Sequence, residues 1–202
     1  MKSAINGLLV SAILLSAISA QAEFDPRQDT IQRYRIAAEQ GDAAAQYNLG
    51  VKYTNGEGVA QDFKVAVRWY LLAAGQGYAS AQNNLGMMYA TGRGVAQDYK
   101  QAAHWYRLAA AHGIAAAQNN LAVMYENGQG VKQRRVAAFA LYNVSAEHDP
   151  AAGNKAVANL ARLSALMTAA EIAAGQALTV EISKPGMMLK GLDSYTELPA
   201  LR

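Results

Sequence analysis

The sequence predicts an all-α fold built as a tandem array of helix pairs with a period of 36 residues. Three observations indicate this fold class: an ungapped internal repeat, small and apolar residues at helical spacing, and turn and capping residues between the helices. Residues 45–80 and 81–116 match at 21 of 36 positions without a gap. Repeats of this length are typical of solenoids, in which each unit buries apolar surface against its neighbours.

The first 22 residues are predicted to be a secretory signal peptide that is not part of the fold. Lys2 gives a positive start, residues 8–18 form a short apolar run, and Ala20-Gln21-Ala22 is a small-x-small cleavage signal. The run is shorter than the ~20 residues of a membrane span, and an uncleaved N-terminal anchor is the alternative. We therefore expect a periplasmic or secreted chain, cleaved after Ala22, with no membrane insertion after cleavage.

Composition narrows the class of protein. The chain has no cysteine, which excludes disulfide bonds and a lipid-anchored N-terminal cysteine. The formal net charge is +3 and the charges are scattered, so the composition gives no argument for nucleic acid as a partner. Cohesion of the predicted helical domain, residues 23–182, must come from burial of apolar side chains.

The array is predicted to begin with a lone helix at residues 25–41, which aligns with the second helix of a repeat. Asp25-Pro26 combines a capping residue with a first-turn proline. Repeat 1 covers residues 45–80, repeat 2 residues 81–116, and a degenerate repeat 3 residues 117–149.

Each repeat is predicted to contain two helices joined by a glycine turn. Ala45, Leu49 and Tyr53 recur at helical spacing in the first helix. Gly50 and Gly86 lie inside this helix, where glycine costs ~1 kcal/mol against alanine, so we expect another backbone to approach there.

The second repeat shows the turn most clearly. Gly92 suits the left-handed residue that ends a helix, Gly94 lets the chain reverse, and Asp98 is placed to cap the second helix. The second helix carries Trp105-Tyr106, whose counterpart is Trp69-Tyr70. Their identical spacing favours packing between repeats over a ligand-binding aromatic cage.

The C-terminal part departs from the period. In repeat 3, Arg134 replaces the capping aspartate and Leu141 the tryptophan. Capping helices are predicted at 150–182, the last of them opened by a Thr168-x-x-Glu171 capping box. Residues 183–202 are predicted to be an irregular tail, which is either disordered or lies along the solenoid.

The pattern A-x-x-x-L-G-x-x-Y-x-x-G-x-G-V-x-x-D-x-x-K-A-x-x-W-Y-x-x-A-A-x-x-G resembles the Sel-1-like repeat family, a relative of tetratricopeptide repeats. The resemblance covers about residues 33–149. It implies a right-handed α-α superhelix of antiparallel helix pairs. It also implies an adaptor that holds a protein or peptide without catalysis or cofactor.

Within this frame the first helices line the concave face, and positions that vary between repeats are free for recognition. The partner-binding residues predicted there, including an asparagine ladder and the end of the array, are Tyr47, Asn48, Val51, Asn83, Asn84, Met87, Met88, Asn119, Asn120, Val123, Asn159 and Arg162. The ladder of Asn48, Asn84 and Asn120 has two interpretations, binding of a peptide backbone or tying of helix ends. Lys155 is expected near the C-terminal end of the groove.

No catalytic or metal site is predicted. The glycine turn lacks the preceding strand and the spacing of phosphate-binding loops. His104 falls at a position that the repeat leaves free, and none of the three histidines has a metal-ligand spacing partner. Two alternatives to an adaptor are a structural part of an envelope complex and a relative that binds penicillin or hydrolyses β-lactams. No serine has the S-x-x-K spacing that the second would use. The oligomeric state is unknown, and a monomer is assumed.

Overall fold

The computed structural model describes residues 26–150 and 155–195, and within these residues all regular secondary structure is helical. The predicted signal peptide and the Asp25 cap lie outside the described residues, as do residues 151–154 and 196–202. The helices are α1 (Pro26–Glu39), α2 (Ala43–Asn55), α3 (Phe63–Gly75), α4 (Ala79–Thr91), α5 (Tyr99–Ala111), α6 (Ala115–Asn127), α7 (Arg135–His148), α8 (Lys155–Ser164), α9 (Ala169–Ile182) and α10 (Met188–Ser194). None of these helices has the length and apolar character that crossing a bilayer requires.

The helices stack as a solenoid, which confirms the predicted fold class. We call α2, α4, α6 and α8 the A helices and α1, α3, α5 and α7 the B helices. Each of the first three A helices packs against the B helix before it and the B helix after it. The leucines of the A helices, Leu49, Leu85 and Leu121, are completely buried between them. Burial of this kind replaces the missing disulfides as the source of cohesion.

Local capping follows the sequence prediction. The Asp98 carboxylate accepts hydrogen bonds from the backbone N–H groups of Lys100 and Gln101 at 2.8 and 3.1 Å, and Asp62 does the same one repeat earlier. Arg134 takes the same place before α7 without a side-chain cap. The Thr168–Glu171 capping box is present at the start of α9.

The glycines inside the A helices make room for a tyrosine ring of the following B helix. A Cβ atom built on Gly86 would lie 2.7 Å from Cδ1 of Tyr106, and Gly50 meets the ring of Tyr70 in the same way. The expectation of a close backbone was therefore wrong, because a side chain occupies the space. The small residue allows an aromatic ring to pack flat against the A helix.

Buried glutamines, which the sequence analysis overlooked, join successive repeats. Gln46, Gln82 and Gln118 each donate from Nε2 to a backbone carbonyl near the end of the preceding B helix, at 3.0, 3.2 and 3.1 Å. In the first repeat Gln76 donates to the Oε1 of Gln46, and in the third His148 pairs with Gln118. The Oε1 of Gln82 is buried without a partner among the described residues.

The second glycine of each turn contacts the preceding repeat. Gly94 has φ +74°, and a Cβ atom there would lie 2.9 Å from the backbone N of Lys64 and closer still to the carbonyl of Phe63. Gly92 has φ +69°, but its nearest neighbour would be an ordinary 3.4 Å away. Gly94 therefore serves the contact between repeats as well as the turn.

The C-terminal end of the solenoid is covered by a helix that leaves the regular pattern. α9 packs on the B helix α7, and Gly175 lets it approach the ring of Phe139. The outer residues of α7, including Ala140 and Val144, are completely buried, whereas the equivalent Arg68 and Leu72 are exposed. This cover explains the small and apolar residues of the third repeat.

The prediction of an irregular tail is wrong for residues 188–194. They form α10, which packs on α9 and reaches back to α5. Leu192 is completely buried there, so this part of the chain lies along the solenoid. Met188 and Leu192 are apolar residues four positions apart, and this helical spacing is the feature of the sequence that indicates the helix.

Candidate partner-binding face

The face of the A helices presents the side chains that vary between repeats. Six of the predicted residues are half-buried there, one turn apart on each helix, and we call them the A-helix face: Tyr47 and Val51 on α2, Asn83 and Met87 on α4, and Asn119 and Val123 on α6. Spacing of i and i+4 places each pair on the same side of its helix. The structure thus brings these predicted residues together along three neighbouring helices.

The rings at the N-terminal end of this face form an aromatic cluster. The Tyr47 ring lies 5.0 Å from the ring of Tyr78 and 6.0 Å from that of Tyr70, centroid to centroid. Tyr78, which precedes α4, was not among the predicted site residues. It was missed because it belongs to the loop that starts a repeat rather than to the helical pattern.

A depression of about 540 Å³ opens between α4 and α6, in the C-terminal half of the A-helix face. Asn83 and Met87 line it from α4 and Asn119 from α6, and Tyr106 contributes from α5. Lys155 and Asp149 lie at its C-terminal end, both exposed. The lining is therefore mainly apolar and amide-bearing, with charges of both signs at one end.

The asparagines of the ladder mostly tie helices together. Asn84 donates from Nδ2 to the hydroxyl of Tyr70 at 3.2 Å, and Asn120 is hydrogen-bonded to the hydroxyl of Tyr106. Burial raises the pKa of Tyr106 to about 12, so this hydroxyl stays neutral and protonated. These contacts favour the packing interpretation for Asn84 and Asn120, while Asn48 is half-buried on α2.

The neighbouring asparagines differ in whether their carbonyl oxygens are used. The Oδ1 of Asn119 accepts from the Nδ2 of Asn159 at 3.1 Å. Asn83, one repeat earlier, donates weakly to Asn84 at 3.4 Å, but its own Oδ1 is buried and accepts no hydrogen bond from the described residues. A buried acceptor without a donor is rare in proteins. The Oδ1 of Asn83 is therefore a buried acceptor in the wall of the depression whose hydrogen-bonding capacity is not used by the described residues.

Two predicted residues are placed differently from the expectation. Met88 is completely buried in the core, so its assignment to the binding surface is wrong. Successive residues on a helix point about 100° apart, and Met87 alone faces outwards. Arg162 is exposed, but it makes a bidentate ion pair with Glu126 at 2.6 and 2.7 Å rather than standing as an unpaired cation.

The ion pair is part of a small polar cluster at the C-terminal end of the array. Tyr142 donates its hydroxyl to Glu126 at 2.9 Å. The hydrogen bond from Arg162 holds the pKa of the Glu126 carboxyl below its usual range against the opposing effect of burial. Burial and the adjacent carboxylate raise the pKa of Tyr142.

The groups that resembled a catalytic site are used structurally. The N–H groups of Gly92 and Arg93 both donate to the carbonyl of Met88, which leaves them unavailable to a phosphate. His104 is exposed and meets Trp105 edge-on at 5.1 Å. The described residues contain no group of three or more histidine, cysteine or acidic side chains arranged to hold a metal.

An all-helical array of helix pairs at a period of 36 residues defines the chain as a helical-repeat protein of the solenoid class. Comparison with protein families assigns the repeats themselves. Three consecutive copies of the Sel1 repeat match residues 43–78, 79–114 and 115–150, and the chain belongs to the Sel1 repeat family. Proteins of this family are generally scaffolds for protein–protein interaction and typically non-enzymatic.

Solved structures of similar sequence agree with this assignment. A Sel1 repeat protein from Oxalobacter formigenes is 30% identical with a TM-score of 0.56, and the match covers 78% of this chain and 59% of that one. A protective antigen present in uropathogenic Escherichia coli strains, which displays an SLR fold, is 31% identical with a TM-score of 0.72. That match covers 85% of this chain and 37% of the antigen. A search of curated proteins gave no significant match.

Proposed function

We propose that this protein is a non-enzymatic adaptor of the bacterial cell envelope that binds a segment of a partner protein on its A-helix face. The observation that carries the proposal is the depression in which the half-buried Met87 lies beside Asn83, whose buried Oδ1 lacks a donor among the described residues. Rotation of the half-buried Asn83 side chain brings that oxygen to a backbone N–H of an extended partner segment, and the methionine adapts to an apolar side chain. The equivalent oxygen one repeat later already makes a comparable contact, because the Oδ1 of Asn119 accepts a hydrogen bond from the Nδ2 of Asn159 on the next A helix.

The location in the envelope rests on the N-terminal sequence. The signal-peptide pattern in residues 1–22 directs the chain out of the cytoplasm, and cleavage after Ala22 leaves a periplasmic or secreted protein. The intact mass of protein purified from the producing cell tests this step. A mature chain that begins at Glu23 supports export, and a chain that still begins at Met1 contradicts it.

Capture of a partner by surface variants tests the binding face. Met87→Glu places a carboxylate in the apolar part of the depression, and Asn83→Ala removes the unpaired amide. Both side chains are only partly buried, so we expect a helical circular-dichroism signal close to that of the unmodified chain. Tyr47 is less suitable, because it packs on Tyr70 and its removal would also disturb the core.

The matched control is Lys100→Glu, a change of an exposed residue on the B helix α5. A protein captured from envelope fractions by the unmodified chain and by Lys100→Glu, but lost with Met87→Glu, supports the proposal. Equal capture by all variants with intact helical signals rejects the A-helix face as the binding surface.

A further inference from the structure

A second groove lies between the B helices α1 and α3, on the side of the B helices. Its volume is about 500 Å³. We call it the outer groove, and it is lined by Arg35, Tyr53, Val65, Arg68, Trp69 and Leu72. The A-helix face contributes no residue to it.

The outer groove combines an apolar floor with positive charge. Leu72 is 52% exposed, a high value for a leucine in a packed helical array. The guanidinium of Arg35 contacts the hydroxyl of Tyr53 at 3.5 Å, and within the described residues no carboxylate pairs with Arg35 or Arg68. The groove is therefore complementary to an apolar segment that carries a negative charge.

The equivalent surface two repeats later is covered by the chain's own α9 and α10, with α9 on α7 and α10 reaching α5. Residues 72 positions further on are Arg107, Tyr125, Ala137, Ala140, Leu141 and Val144. Arg107 donates to the hydroxyl of Tyr125 at 2.9 Å, just as Arg35 approaches Tyr53. Its Nη2 also donates to both carboxylate oxygens of Asp193 of α10, at 2.7 and 2.8 Å.

Apolar burial accompanies this ion pair. Leu192, directly before Asp193, is completely buried as part of the apolar core at this end of the array. Its carbonyl accepts a hydrogen bond from Arg134 at 3.2 Å. Beside Arg107, a two-turn helix is thus held by a buried leucine followed by an aspartate.

The intervening repeat lacks this recognition element. Residue 71 lies one 36-residue period after Arg35 and one before Arg107, and it is a leucine. The groove of the middle repeat therefore has no guanidinium at the equivalent position. Only the first and third grooves among the described repeats carry the arginine and the tyrosine together, and only the third is filled by the described residues.

We propose that the outer groove binds a short helical segment of a partner protein, in which a leucine followed by an aspartate takes the places of Leu192 and Asp193. The leucine is buried among the apolar side chains that line the groove, and the carboxylate pairs with Arg35. A partner suits the groove better than a second copy of this chain, because the α10 of each copy is already held in its own third groove. This surface is separate from the A-helix face and adds a second docking site.

The test uses the chain's own segment as a probe. A synthetic peptide with the sequence of residues 185–195 is titrated into the ¹⁵N-labelled full chain, and amide and indole chemical shifts are followed by NMR. We expect saturable shifts at Trp69 and around Arg35. A peptide with Asp193→Asn should bind at least about tenfold more weakly, because it loses the charge-assisted contact of its carboxylate with a guanidinium.

Variants of the chain separate this result from other outcomes. Arg35→Ala should abolish the shifts, whereas Leu71→Ala in the middle groove and Met87→Glu on the A-helix face should leave them unchanged. No shift at millimolar peptide, shifts that persist in Arg35→Ala, or displacement of α10 from the third groove would each overturn the proposal. A dimer that sedimentation detects and that Arg35→Ala dissociates would overturn the choice of a partner over a second copy. Loss of partner capture by Met87→Glu concerns only the adaptor function of the A-helix face.

Discussion

The two glycines of one turn allow the contact between repeats to be measured separately from the turn itself. Gly92 and Gly94 have nearly the same backbone conformation, with φ of +69° and +74°. Alanine at either position therefore bears a similar conformational cost, about 1 kcal/mol. Only at Gly94 does the new methyl group also collide with the backbone of the preceding repeat, at Phe63 and Lys64.

The collision sets the expected difference in stability. Backbone atoms at the start of α3 cannot move aside as a flexible side chain would, so the repeat must shift. Forced shifts of this kind cost about 1–3 kcal/mol. We expect Gly92→Ala to lower the free energy of unfolding by about 1 kcal/mol and Gly94→Ala by about 2–4 kcal/mol.

Urea unfolding monitored by circular dichroism measures both values. With a slope of about 2 kcal/mol per molar urea, the midpoint falls by about 0.5 M for Gly92→Ala and by about 1–2 M for Gly94→Ala. Gly130→Ala, which meets the carbonyl of Tyr99 in the same way, should repeat the larger loss. Equal losses at Gly92 and Gly94 would refute the role of the second glycine in packing between repeats.

Three further changes test the local contacts. Asp98→Ala removes the cap of α5 and should cost about 1 kcal/mol in urea unfolding, whereas an unchanged midpoint would contradict the cap. His112→Gln, which copies Gln76 of the first repeat, gives the unpaired Oε1 of Gln82 a donor and should raise the thermal midpoint. The lowered pKa of Glu126 means that its stabilisation is present at neutral pH and lost as pH falls through the lowered pKa. In acid titration, Glu126→Gln should therefore show a weaker fall of stability than the unmodified chain.

Features that depend on a few neighbouring residues could be predicted from the sequence. The Asp98 cap and the Thr168–Glu171 box are fixed by hydrogen bonds within one turn, so their spacing alone identifies them. The repeat was predicted from the sequence identity between residues 45–80 and residues 81–116. The half-buried positions of the A helices also followed, because helical periodicity determines which residues share a side.

Features that depend on distant parts of the chain could not be predicted. Arg107 and Asp193 are 86 positions apart in the sequence, so no local pattern could reveal their ion pair. The burial of Met88 depends on which way α4 is turned towards α5, and the neighbouring Met87 has the same chemistry. The neighbour of Gly50 was predicted wrongly for the same reason. A glycine inside a helix indicates that another group packs closely there, but it does not indicate whether that group is a backbone or a side chain such as the Tyr70 ring.

Photo-crosslinking from defined positions in intact cells tests the central claim that the A-helix face holds a partner protein. A photoreactive amino acid is placed at position 87 or 119 on this face, and at the exposed position 101 on α5 as the control. If the A-helix face binds a partner, we expect one discrete crosslinked protein from positions 87 and 119 and none from position 101. The crosslink from position 119 should also be lost when Asn83 is replaced by alanine. A crosslinking pattern that is the same from all three positions, or a product from 101 alone, would contradict it.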